Sequence, residues 1–150
     1  MKYINQIDLE LPIEEVVELF DNPDNMKHWQ PGLLSFEHLS GTPGQVGAKS
    51  KLKYQMGNRK VEMIETITKR NLPQEFSGIY EAKGVWNAIS NKFVPLAPGT
   101  TRWITETEFR FNGFMKVIGF IMPGAFRKES QKFLQQFKTF AEGTKKEQAV

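Results

Sequence analysis

Apolar and polar positions change their spacing three times along the chain. From Tyr3 to Leu11 the odd positions Tyr3, Ile7, Leu9 and Leu11 are mainly apolar and alternate with Ile4, Gln6, Asp8 and Glu10. A period of two predicts a strand with one wet face. Pro12 stops it. From Ile13 to Phe20 the spacing turns helical, with Ile13, Val16, Val17 and Phe20 on one side and Glu14, Glu15 and Glu18 on the other. The acidic residues sit near the helix N-terminus, where the helix dipole favours them. Asp21-Asn22-Pro23-Asp24 breaks that helix. Pro23 to Trp29 predicts a second short one, ended by Pro31-Gly32.

A meander follows. Strands are predicted over Leu33–Leu39, Ser50–Met56, Lys60–Arg70, Glu75–Glu81, Val85–Val94 and Thr101–Phe111. The breaks between them are the turn-rich Gly41–Gly47, Gly57-Asn58, Leu72-Pro73, Lys83-Gly84 and Pro95–Gly99. One strand before the helices and six after, joined by short turns, build an antiparallel sheet. From Phe126 the period changes again. Phe126, Phe133, Phe137 and Phe140, with Ser130 filling the missing step, form one stripe of a long helix. Before it lies the apolar stretch Phe114–Met122, too short to span a bilayer and bounded by Pro123-Gly124. Two readings of it stand. The favoured one is the ordinary packed start of the C-terminal helical region. The other is a lid or a surface for transient membrane or partner contact. Residues 143–150 are polar and expected to fray as a disordered tail.

Composition narrows the chemistry. A length of 150 residues fits one domain with a real core. No cysteine is present, so disulfides, thiol nucleophiles and Cys-ligated metals are excluded. Two histidines, His28 and His38, in separate elements make a metal site unexpected. No cofactor is implied. The net charge of +3 is small, and basic pairs such as Arg59-Lys60, Lys69-Arg70 and Arg127-Lys128 are dispersed, which argues against nucleic acid. The N-terminal segment has no apolar run of signal-peptide type. A soluble cytoplasmic protein without stable membrane insertion is the expectation. The Gly41–Gly47 loop stands before a strand, not a helix, and reads as a turn that gates the interior rather than a phosphate cradle.

The order of strand, two short helices, six strands and long C-terminal helix resembles the START and birch-pollen-allergen (SRPBCC) superfamily. Leu11-Pro12-Ile13 leading into an acidic-apolar helix carries the likeness. So do Trp29-Gln30-Pro31-Gly32, the Gly41–Gly47 loop, and Glu65-Thr66-Ile67-Thr68 running to Leu72-Pro73. The likeness covers Lys2 to Glu142 and is strongest to the bacterial polyketide cyclase/dehydrase-like branch. It implies an α+β helix-grip fold, a curved seven-stranded antiparallel sheet (β-α-α-β6-α) wrapped around the C-terminal helix with a cavity between.

The alternation says what would face that cavity. Arg102, Glu106, Glu108 and Arg110 mark the wet face of the last strand, which turns Trp103, Thr105 and Thr107 inward. The neighbouring strands offer Asn87, Ile89 and Asn91; Phe76 and Tyr80; Met63 and Glu65; and Tyr54 and Met56. From the C-terminal helix come Phe126, Phe133 and Phe137, read first as core and also as the roof of the pocket. An apolar lining with a few polar groups suits an amphipathic small molecule. Burial would raise the proton affinity of Glu65, making it the candidate general acid or base, assisted by Tyr54 or Tyr80. The favoured reading is the plainer one, in which Glu65 pairs with a polar group of a neighbouring strand and does nothing else. Three functions follow, in order. The first is a binder or carrier of an apolar, lipid- or polyketide-like molecule. The second is a cyclase- or dehydratase-type enzyme. The third is an interaction module using Phe114–Met122.

Overall fold

The computed structural model of the chain describes residues 1–148. β1 (Lys2–Leu9) leads into α1 (Ile13–Asp21), a 3-10 turn (Pro23–Asn25) and α2 (Met26–Trp29). The strands β2 (Leu33–Ser40), β3 (Lys49–Met56), β4 (Arg59–Asn71), β5 (Glu75–Ala82), β6 (Val85–Ala97) and β7 (Thr100–Phe111) follow. The chain closes with α3 (Phe114–Ile121) and α4 (Pro123–Gln148). All seven strands form one sheet in the order β1-β7-β6-β5-β4-β3-β2, every neighbouring pair antiparallel. This is the helix-grip arrangement expected from the element order.

Local chemistry explains the joints. The Pro12 carbonyl accepts the Glu15 and Val16 amides at 3.1 Å, which starts α1 directly after the strand. Asn22 caps the 3-10 turn by accepting the Asp24 amide at 3.0 Å. Gly57 turns β3 into β4 at φ 61°, a left-handed conformation that glycine adopts without a Cβ penalty. β6 runs three residues further than the alternation indicated, to Ala97, and the turn shrinks to Pro98-Gly99. A register shift between Pro95 and Ala97 lets that proline sit in the strand, since it has no N–H to give the ladder.

The core lies at one end of the grip. Leu9, Leu11, Val16, Trp29, Phe93, Trp103, Leu134, Phe137 and Ala141 are buried together there. Phe20 of α1 reaches in and meets Phe76, Phe93, Trp103 and Phe137 edge-on, with centroids 5.1–6.1 Å apart. Such pairs add about 0.5–1.5 kcal/mol each beyond their buried area. α4 is fastened to the edge strand β1. Asn5 donates to Gln131 at 2.8 Å, the Tyr3 hydroxyl lies 2.7 Å from that of Ser130, and Lys138 donates to the Asp8 carbonyl at 2.6 Å.

Two expectations need correction. α4 continues to Gln148, so residues 143–148 carry helical backbone where a fraying tail was expected; 149 and 150 lie outside the described residues. Thr144 helps by bonding back to the Ala141 carbonyl at 2.7 Å. The second concerns Phe114–Met122, which is not packed away. Gly119 is pressed so closely on Phe111 that a Cβ would clash with the ring, and Met115 packs on Gly84. The opposite face stands in solvent: Phe114 is 76% exposed, Phe120 87% and Ile121 68%. A helix of eight residues can seat only one stripe on the end of β7.

Candidate functional site

Strand pairing decides which side chains share the concave face. Tyr54 lies opposite Val61, Glu65 opposite Tyr80, and Tyr80 opposite Asn87. Ile89 lies opposite Thr107, and Asn91 opposite Thr105. Thr105 also pairs with Asn5, whose side chain touches α4, so the whole set faces the helix. The sequence-derived registers of β3 through β7 therefore agree with the structure.

The helix does not cover this face evenly. α4 packs chiefly on β1 and α2. Over β4, β5 and β6 the inward side chains Val61, Met63, Phe76, Tyr80, Asn87 and Ile89 stay half-buried. The concave face over β4–β6 is thus a less covered stretch, here termed the groove, with the aromatic core at one end. Near the other end Phe126 leans on Phe109 and Phe111 at 5.1 and 5.2 Å. Two further open depressions lie elsewhere, one where α4 meets β1 and one along the outer sheet face between Lys2 and Glu108.

Glu65 is the central polar group of the groove. It is 9% exposed. Burial raises the proton affinity of its carboxyl, and a hydrogen bond from Tyr80 offsets part of that rise. Burial also pushes the Tyr80 phenol well above its ordinary value, and the nearby Glu65 charge adds to the effect. Tyr54 is raised for the same two reasons. Both hydroxyls therefore keep their protons and serve as donors. Tyr54 uses its own on Gln30, at 2.6 Å. Tyr80 folds back over Gly78, where a Cβ would stand 3.5–3.6 Å from its ring and hydroxyl, an ordinary contact. Thr107 and Thr105 are buried further along the same face.

Several buried polar atoms in this region have no hydrogen-bond partner among the described residues. They are Asn87 Oδ1, Thr105 Oγ1 and Asn5 Oδ1, with Trp29 Nε1 at the core end. Unpartnered buried polar atoms are rare and point to a ligand or an ordered water. All of the first three can accept a hydrogen bond.

Four expected lining residues sit differently. Asn91 is built into the core, where it accepts the Trp103 indole N–H at 3.0 Å and donates to the Phe76 carbonyl at 3.1 Å. Trp103 and Phe137 are within that core, their rings 5.1 Å apart. Their alternation and stripe were read correctly, but the core end of the same face claims them. Met56 is 47% exposed at the last position of β3, beyond the shelter of α4. Phe133 packs partly against the core, and Phe126 bounds the groove. His28 stacks on Phe140 at the surface, and His38 bonds the Gly41 carbonyl. No group of three or more metal-ligating side chains occurs among the described residues.

Sequence reasoning missed Asn5 and Gln30. Asn5 shares the parity of Tyr3 and Ile7, so the alternation already marked it as inward. Gln30 follows a one-turn helix, where no periodicity assigns a side. Its burial could be found only from the contact with Tyr54.

With this geometry in hand, comparison with known proteins is informative. A family model described as polyketide cyclase/dehydrase and lipid transport matches residues 3–142. No curated protein matches the chain significantly. Among solved structures, a conserved protein from Geobacillus kaustophilus superposes with a TM-score of 0.80 at 20% identity, covering 96% of this chain and 97% of that one. A START superfamily protein from Mycobacterium smegmatis gives 0.81 at 10%, covering 95% and 98%. The Zhui aromatase/cyclase from Streptomyces sp. R1128 gives 0.78 at 11%, covering 95% and 93%. At such identities the likeness is one of fold. Among the described residues no helix is long and apolar enough to cross a membrane.

Proposed function

Because the chain belongs to the polyketide cyclase/dehydrase and lipid transport family, we propose that its groove binds an amphipathic small molecule with a flat or extended apolar body. The observation that carries this reading is the unpartnered acceptors Asn87 Oδ1 and Thr105 Oγ1 on a face otherwise made of Val61, Met63, Phe76 and Ile89. A ligand hydroxyl satisfies such an acceptor, and its apolar body covers the half-buried side chains. In its protonated form, which burial favours, Glu65 can donate to a ligand carbonyl. A lipid- or polyketide-like molecule has this combination of groups.

The test uses a neutral naphthol as probe, with naphthalene as the control that lacks the hydroxyl. At free concentrations about a hundredfold above its dissociation constant, the naphthol should stabilise the protein by about 2.7 kcal/mol through linkage. Naphthalene should bind about tenfold more weakly, the worth of one hydrogen bond of about 1.4 kcal/mol. Equal affinity for both probes, or no stabilisation by either, overturns the proposal.

A second reading has its own observation. The carboxyl of Glu65 is shifted toward its neutral form beside a phenol that stays protonated, an arrangement suited to moving a proton in a cyclisation or dehydration. In that case Glu65→Gln abolishes turnover of a substrate and leaves its binding within a few-fold. Retained turnover in this variant excludes Glu65 as the acid or base.

A further inference from the structure

The outer face of α3 is a different kind of surface from the groove. Phe114, Val117, Phe120 and Ile121 are all more than half exposed, and Met122 at the helix end is 52% exposed. The helix is nonetheless firmly seated, because Gly119 lies against Phe111 and Met115 against Gly84. Exposed apolar side chains gathered on one face of a seated helix mark an interaction surface.

Charge identifies the partner. From Asn112 to Lys128 there is no acidic residue, and Lys116, Arg127 and Lys128 are basic. Lys116 is exposed on α3 itself, one helical turn before Phe120. Lys83, also exposed, adjoins the glycine on which Met115 rests. Apolar side chains at the tip with lysines at the flank match an anionic bilayer, where rings enter the acyl boundary and ammonium groups stay among the headgroups. The size of the patch disfavours a second copy of the chain. An eight-residue helix is about 12 Å long and about 10 Å wide. Its outer face falls well short of the ~800 Å² per partner of a stable dimer. A bilayer needs no such matched area.

We propose that α3 docks the protein on anionic membranes, with Phe114, Val117, Phe120 and Ile121 inserted at the acyl boundary and Lys116 and Lys83 on the headgroups. The contact is peripheral and reversible. It is independent of the groove, since it uses the opposite face of α3 and needs no small molecule.

Flotation of the full chain with vesicles tests this. One set is pure phosphatidylcholine, and the other contains added phosphatidylglycerol. The protein should float with the anionic vesicles only, and less as salt is raised. Lys116→Gln should weaken the association about fivefold, the worth of one basic side chain at an anionic surface. Phe120→Ser with Ile121→Ser should weaken it about a hundredfold, since each ring or branched chain buried is worth roughly a factor of ten. Equal binding to both vesicle types overturns the proposal, as does an unchanged affinity of Lys116→Gln. So does self-association through α3 without vesicle binding. Lys116 is exposed and its replacement leaves the packing intact, so it decides the matter even where the double variant folds poorly. Naphthol binding without vesicles reads the groove separately, so the failure of one claim is distinguishable from failure of the other.

Discussion

Replacing Glu65 by glutamine should make the protein more stable in alkaline solution, and the gain should vanish in acid. The Glu65 carboxyl holds its proton more tightly in the folded chain than in the unfolded one, because desolvation outweighs the bond from Tyr80. Such a group contributes its full stability below the unfolded value and loses it as pH rises through the folded value. Above that range the wild-type groove contains a buried charge, whereas the glutamine variant contains a neutral amide of the same shape. Burying an ion costs several kcal/mol in a real protein. The hydrogen bond from Tyr80 returns about 1.5–3 kcal/mol. The difference leaves on the order of 1–3 kcal/mol in favour of Glu65→Gln once the pH is above the folded value, and close to nothing in acid below the ordinary carboxylate range, where both side chains are neutral. Urea denaturation of both proteins across this range reads the difference directly, with slopes expected to stay equal. An advantage that is constant with pH, or a variant less stable at high pH, would refute the reasoning.

Three further outcomes follow. Asn91→Ala leaves the buried Trp103 N–H and Phe76 carbonyl without partners and should cost about 2–4 kcal/mol in chemical denaturation; a loss under about 1 kcal/mol contradicts its place in the core. Gly119→Ala forces a methyl against the Phe111 ring and should cost about 1–3 kcal/mol despite the better helix propensity of alanine, with faster proteolysis within α3 as a second readout. Ile89→Trp should fill the open part of the groove, weakening naphthol binding at least about tenfold while the unliganded melting temperature moves by only a few degrees, as befits a half-buried site.

The fold was legible because its signals are regular. Alternation in β7, with Arg102, Glu106, Glu108 and Arg110 on one face, fixed the inward side of every neighbouring strand through pairing. Those outward charges pair with one another on the wet face: Arg102 with Asp8 at 2.8 Å, Lys92 with Glu106 at 3.6 Å, and Arg110 with Glu108 at 3.1 Å. The Phe stripe of α4 was equally clear. What periodicity could not say is how far along one face the core ends and the groove begins. Trp103 and Thr105 share a parity, yet Phe20, arriving from α1, closes over the first and not the second. That boundary depends on the docking of α1 and α4, a long-range matter. The exposure of α3 was hidden for a related reason. FMKVIGFIM is apolar on nearly all sides, and such a pattern ordinarily means burial. Only the short reach of β7 beneath it leaves Phe114 and Phe120 in water. The end of α4 was misjudged because polar composition was read as fraying, although Thr144 and the neighbours of Glu142 continue the helix. Glu142 itself is tied to Lys138 and to the Glu10 amide.

Backbone amide spectra of the labelled protein titrated with the naphthol, without vesicles, test the central claim most directly. The account predicts shifts centred on Met63, Glu65, Tyr80, Asn87, Ile89 and Thr105, diminished in Thr105→Val, with α3 and β2 unmoved. Shifts confined to α3 or to the outer sheet face, or a spectrum unchanged at saturating probe, would contradict it.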